Sequence, residues 1–401
     1  MNIKQRWNNF PFQPEKVPFF YGWVILFAST IGILASAPGQ TLGIATFTDY
    51  LLENIHISRK ILLSQSDRII HLFVNENSSA IYAPFAITVL ILMFFALRFS
   101  GQGVLTMISR NMLMKWFIAR RGLVNGISSI FVAFGFSLAP LTFDTFIQET
   151  SWRWAWIIMS IGIGVFFTIF AFLLFRDNPE DLGMIPDGEM HGNKEKNVII
   201  KPFKQFTLVE ARKTVSFWLF SIPLAMYALY ITGFTFHLVS IFENAGMGCE
   251  KALEIFIPVS VISVTVSLIG GYFSDKMLLK YLLTIMLIGQ VIALLSLAFL
   301  NDGVFYYGYI LGNGIVSGLY NVLMAVTWPR FYGRENLGRI TGFVMAIIVF
   351  ASALGPSIFS FSATKLGSYS VAIFGLAAIV AVITVFSYKA ENPQSKFDNS
   401  K

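Results

Sequence analysis

The chain has 401 residues, 55% of them hydrophobic and only 13% charged, with a mean hydropathy of +0.67. Soluble domains carry about 25% charged residues, so this composition excludes an ordinary soluble fold and points to lipid-facing helices. The net charge of +7 does not indicate nucleic acid, because the cations sit in short tracts between apolar runs, without a basic groove or a DNA- or RNA-binding pattern. They suit loops that face anionic inner-leaflet lipid. Cys249, the single cysteine, can form neither an internal disulfide nor a zinc cluster.

A helix needs roughly 20 apolar residues to cross the hydrocarbon core. Ten segments qualify: 20–44, 81–107, 123–143, 154–175, 215–240, 254–273, 281–300, 304–327, 340–360 and 369–388. The polar stretch from Met1 to Pro18 runs straight into the first of these with no small-residue cleavage site, which predicts a retained helix. The spans are rich in Gly, Ala and Ser, as helices packing in lipid require. Cytoplasmic loops carry excess Lys and Arg. With the N-terminus inside, the inner tracts hold 22 Lys and Arg and the outer tracts 6, which predicts cytoplasmic termini in a cell membrane.

The tract 176–214, with Pro179, Pro186, Gly188 and then Lys194, Lys196, Lys201 and Lys204, reads as a linker. The expected organisation is an N-terminal bundle of four spans (1–175), this linker, a C-terminal six-helix bundle (215–390) and a tail (391–401). The fold class is therefore all-α integral membrane.

Several strings resemble the major facilitator superfamily, within it the oxalate/formate-antiporter and monocarboxylate-porter branches. They are Tyr21-Gly22-Trp23, Pro38-Gly39-Gln40 with Gly43, Trp116-Phe117 with Arg120-Arg121-Gly122 and Gly126, and Pro179-Glu180-Asp181-Leu182-Gly183 with Pro186-Asp187-Gly188. Phe217-Trp218 and Pro329-Arg330-Phe331-Tyr332-Gly333, with Leu337-Gly338 and Gly342, complete the series. Gly271, Asp275 and Lys276 are similar to the family's cytoplasmic gating signature. There Gly admits a neighbouring helix, Asp favours a helix N-terminus, and Lys meets charged partners that form and break. A polar helix end with positive-inside charges is the plainer reading.

The family pattern has twelve helices and repeats that signature in its first half. Here the first copy is absent. Ser58-Arg59 resembles the loop after the first family helix, and Leu62-Leu63-Ser64-Gln65 the tail of the third. An in-frame loss of the second and most of the third helix is therefore expected between Asn54 and Arg68. Losing a pair preserves the orientation of everything downstream.

Arg98 is the one Lys or Arg well inside a predicted span, where charge in lipid costs at least about 2.5–3.5 kcal/mol. With Gln102 it resembles the family's Arg-x-x-Gly signature in helix four. It reads either as an anion-attracting or gating group, or as a structural arginine on nearby carbonyls. Gln40, beside Pro38 and Gly39, either opens backbone carbonyls to a cavity or marks a bend. His237 is either a proton-linked or substrate group or a buried, satisfied histidine. Asn313, Tyr320 and Asn321 fall on one face of their span and line a cavity or tie helices together.

In oxalate-exchanging relatives, basic residues in the eighth and eleventh family helices hold the dicarboxylate. The matching spans 254–273 and 340–360 contain no Lys or Arg, which disfavours oxalate. The acidic residues Asp49, Asp144, Glu243 and Glu254 lie at span ends. Neither a His-Glu-x-x-His, nor a phosphate-cradling Gly-rich loop, nor a Gly-x-Ser-x-Gly elbow occurs, so no enzyme activity, cofactor or metal is expected. The resemblance implies a secondary transporter of a small organic solute, a monocarboxylate or other organic anion; a monomer is expected, although the sequence does not fix the oligomeric state. A transport-inactive relative acting as a sensor or interaction partner is the alternative.

Overall fold

The computed structural model describes residues 13–40, 47, 92–93, 95–188 and 204–397. The suspected deletion between Asn54 and Arg68, and Asp49, lie outside them. Among the described residues the regular structure is helical. We number the main helices α1 Gly22–Leu34, α2 Thr106–Trp116, α3 Arg121–Glu149 and α4 Trp152–Leu174 before the linker. After it come α5 Val215–Asn244, α6 Phe256–Lys276, α7 Leu279–Ala298, α8 Val304–Tyr332, α9 Leu337–Lys365 and α10 Tyr369–Phe386.

Eight stretches among the described residues are long and apolar enough to cross a membrane, which makes the chain a multi-pass membrane protein. They correspond to α1 and α4 to α10. In α3 the stretch Arg121–Phe136 is apolar and the helix continues to Glu149. The expected span 81–107 lies mostly outside the described residues. Helices outlast their apolar runs elsewhere too: α8 continues beyond position 327 to Tyr332. The i to i−4 hydrogen-bond ladder depends on the backbone and not on the side chains lipid accepts. Large apolar side chains turn outward, as on α4, where Trp154 and Phe166 are 59% and 70% exposed. Surface of that kind is stable against lipid and not against water.

Two compact units are present. One comprises Met1–Thr30, Arg110–Ala133 and Phe175–Lys401, and the other Ile31–Ser109 and Phe134–Leu174. In the first unit α5 packs on α9, α8 lies between α6 and α7, and α10 packs on α7. Small residues set these distances. A Cβ on Gly355 of α9 would stand 2.2 Å from the Leu229 carbonyl oxygen of α5, so only glycine fits there. Thr232 and Ser352 share a hydrogen bond of 2.8 Å across the same seam. In the second unit a small core gathers Ala37, Phe47, Phe143, Ile147 and Ala155, with the Phe47 ring 4.6 Å from that of Trp156.

Candidate functional site

The strings singled out above lie on separate segments, and in the first unit they converge on the start of α3. Gly122 and Gly271 press backbone to backbone: a Cβ on Gly122 would stand 1.9 Å from the Gly271 carbonyl oxygen. One turn beyond Gly271, the Asp275 carboxylate accepts from the Gly122 N–H at 3.2 Å and the Leu123 N–H at 3.4 Å. These are N–H groups that a helix start leaves unpaired, and they favour a negative charge. Arg330, near the end of α8, donates to Asp275 at 3.0 Å and also to the Ser274 carbonyl.

Neighbouring segments fasten the same region. Asp187 accepts from the Ile118 and Ala119 N–H groups at 2.7 and 2.9 Å. Arg334 pairs with Glu180 and donates to the Lys115 carbonyl. Arg121 turns back onto the Phe117 carbonyl at 2.9 Å. Lys276, expected to meet charged partners, instead donates to the Tyr272 hydroxyl and lies 4.0 Å from that ring's centre. The cation that meets Asp275 is Arg330, which the sequence shows only as part of the Pro329-Arg330 string.

A second polar group lies in the same unit, where α2, α3, α8 and α9 bring together Arg110, Asn111, Asn125, Asn321 and Thr341. Arg110 Nη2 donates to Asn321 Oδ1 at 3.1 Å and Nη1 to the Asn321 carbonyl at 3.5 Å. Asn125 Nδ2 donates to that carbonyl at 3.3 Å, and Asn111 Nδ2 to Thr341 Oγ1 at 2.7 Å. Tyr320 faces Tyr227 of α5, ring centres 5.0 Å apart. Thus two of the three residues expected to share a face, Tyr320 and Asn321, stand in this polar neighbourhood. Asn313, two turns away, is buried and its Oδ1 has no hydrogen-bond partner among the described residues.

Arg110 is the residue that sequence reading missed. The predicted span 81–107 stops short of Arg110, whereas in the structure Arg110 lies inside α2, a helix running to Trp116.

The other expected residues fall elsewhere. His237 is buried in α5, with Nε2 3.1 Å from the Pro356 carbonyl and Nδ1 3.2 Å from the Tyr369 hydroxyl. A carbonyl oxygen only accepts, so Nε2–H donates to Pro356 and Nδ1 accepts from the Tyr369 phenol. In the second unit α1 ends at Leu34 and a short 3₁₀ turn, Ala37–Gly39, carries the chain to Gln40. Gln40 Nε2 donates to Ser36 Oγ at 2.9 Å, with Thr106 Oγ1 at 3.4 Å. Half-exposed Arg98 precedes a π-helical stretch, Phe99–Leu105, that includes Gln102, whose side chain lies outside the described residues.

The family model described as Major Facilitator Superfamily matches residues 78–330, well over half of the chain. The chain belongs to the major facilitator superfamily. Its members are transporters rather than enzymes. A relative from Danio rerio, described as Monocarboxylate transporter 10, is 27% identical over 173 residues, 41% of this chain. The match spans only about a third (33%) of that relative's length. Among solved structures, a double-tryptophan mutant of XylE superposes with a TM-score of 0.65 at 14% identity, covering 94% of this chain and 98% of that one. The proton:xylose symporter XylE bound to 6-bromo-6-deoxy-D-glucose gives 0.57 at 15% identity, covering 94% and 87%. At such identities the likeness shows the major facilitator fold and leaves the substrate open.

Proposed function

We propose that this chain is a secondary transporter of the cell membrane, with both termini cytoplasmic, that moves a small organic anion by alternating access. A monocarboxylate is the favoured substrate class. The observation that carries the reading is the clasp on Asp275. One carboxylate, two backbone N–H groups and one guanidinium join the end of α6 to the starts and ends of other helices. Such a contact opens and remakes as a unit, giving the two discrete arrangements that alternating access needs. Gly271 and Asp275 act as the gating signature, with Arg330 in the part expected of Lys276.

The substrate class draws support from the relative described as a monocarboxylate transporter and from the lack of Lys and Arg in the spans matching the dicarboxylate site. Arg98, Gln102, Gln40, His237 and Asn313 are secondary candidates for the transport path. Uptake of labelled pyruvate and lactate into proteoliposomes under an imposed proton or counter-anion gradient tests the proposal. Saturable, gradient-dependent flux supports it. Binding without flux in a correctly inserted protein would transfer the chain to the sensor reading, and neither binding nor flux would end the anion assignment.

A further inference from the structure

We infer that Arg110 is the seat of the substrate's carboxylate and that the site is built for one negative charge. The inference rests on the organic-anion reading above and deepens it.

Four observations carry it. Arg110 projects from inside a helix into a contact between α2 and α8, where, among the described residues, its guanidinium donates to neutral oxygens alone, the side chain and carbonyl of Asn321. Its Nε–H is fully enclosed and donates to nothing among the described residues. The groups around it, Asn111, Asn125, Tyr320 and Thr341, carry no charge, and among the described residues no carboxylate lies at ion-pair distance from it. Two other enclosed arginines of the same unit instead meet carboxylates: Arg330 meets Asp275 and Arg334 meets Glu180.

A guanidinium taken out of water without a counter-charge is costly, and an anion with good hydrogen-bond geometry repays that cost. The fork of Nε and Nη suits a carboxylate, which accepts two parallel N–H bonds. Since the cluster offers a single cation, the second carboxylate of a dicarboxylate would be enclosed without a partner. A bond from Arg110 to Asn321 that merely ties two helices is the competing account, so the test must read charge preference rather than activity alone.

The full chain in lipid nanodiscs is titrated with pyruvate, lactate and benzoate, with their primary amides and oxalate as comparators, read by tryptophan fluorescence. In the wild type we expect each bound carboxylate to be preferred over its amide by about tenfold or more, a charge-assisted bond set against a neutral one. Arg110→Gln should erase that preference, Arg110→Lys should keep part of it, and oxalate should bind no tighter than pyruvate. An unchanged carboxylate-to-amide ratio in Arg110→Gln overturns the assignment alone. A wild-type chain that binds none of the carboxylates overturns both the assignment and the reading beneath it. If Arg110→Gln does not fold, the wild type decides the matter through butanedione modification mapped by mass spectrometry. Protection of Arg110 by pyruvate supports the seat, and equal modification with and without pyruvate overturns it.

Discussion

Arg330 and Arg110 are both partly enclosed arginines of one compact unit, and both act on or from α8, yet their surroundings differ. Arg330 meets the carboxylate of Asp275, which in turn is held by the first N–H groups of α3, so the charge is neutralised within the chain. Arg110 meets amide oxygens and, among the described residues, leaves one N–H without an acceptor. The first arrangement is closed and serves as a fastener. The second is open to an anion. The chemistry that separates a tie from a binding residue is thus the presence of an internal counter-charge, and not the residue type or its depth.

The comparison breaks most severely at Gly122. Replacing it with valine would push a Cβ to 1.9 Å from the Gly271 carbonyl oxygen and 2.3 Å from Ser274 Oγ. The backbone on both sides leaves nothing that can yield, so we expect a destabilisation above about 3 kcal/mol and loss of the monodisperse peak in detergent size exclusion. Full retention of that peak at the wild-type melting temperature would show the clasp to be slack. Next in size is Asp275→Ala, which strands Arg330 and two helix-start N–H groups. Removing one partner of an enclosed pair costs about 2–5 kcal/mol. The lower end applies here, because the two side chains keep 24% and 16% of their exposure. A thermal scan of the purified variant measures it, and a loss too small to detect would place Arg330 with Arg110 as an open cation.

How much of this was legible in the sequence follows the same division. The apolar runs and the glycines announced the helices and their close packing, since lipid allows few other solutions. The Gly271 and Asp275 pairing was legible because Gly-x-x-x-Asp places both on one side of a helix end. Its partner cation was not, because Arg330 stands 55 positions away and only the fold brings it to Asp275. Arg110 was hidden for a sharper reason. An apolar window ends at the first polar cluster, whereas the helix runs on to Trp116, so Arg110 falls outside the predicted span 81–107 although it lies within a helix. His237 shows the converse: a residue type that invites a functional reading proved to have both ring nitrogens occupied.

Asn321→Asp would sharpen the comparison by giving Arg110 what Arg330 already has. The new carboxylate would stand where Arg110 Nη2 now donates at 3.1 Å. A charge-assisted hydrogen bond is worth about 1.5–3 kcal/mol; desolvating the added carboxylate offsets part of that, so we expect a net gain of about 1 kcal/mol in thermal stability together with weakened pyruvate binding. Stabilisation with undiminished anion binding would separate Arg110 from the substrate. The two readouts must move in opposite directions for the comparison to hold.

The smallest effect tests a third setting, a more exposed charge pair whose side chains keep 35% and 39% of their exposure. Glu210 caps a short helix ahead of α5, where Lys204 Nζ lies 2.8 Å from its Oε1 and the Thr207 N–H donates to its Oε2 at 2.8 Å. The hydrogen bonds from Lys204 and then Thr207 hold its carboxyl at about 2, below the ordinary 4.5. Because the folded value is the lower one, the unfolded chain binds the proton first as pH falls. The stabilisation is complete above about pH 4.5 and is lost as pH drops toward about 2. Glu210→Gln removes it at every pH, so the gap in melting temperature between variant and wild type should be constant above that window and close within it. Water and salt screen this pair, so the gap should be small beside that of Asp275→Ala and should shrink further in high salt, while the Asp275 effect persists. A Glu210 gap as large and as salt-resistant as that of Asp275 would mean that enclosure is not what distinguishes the fastener on α3.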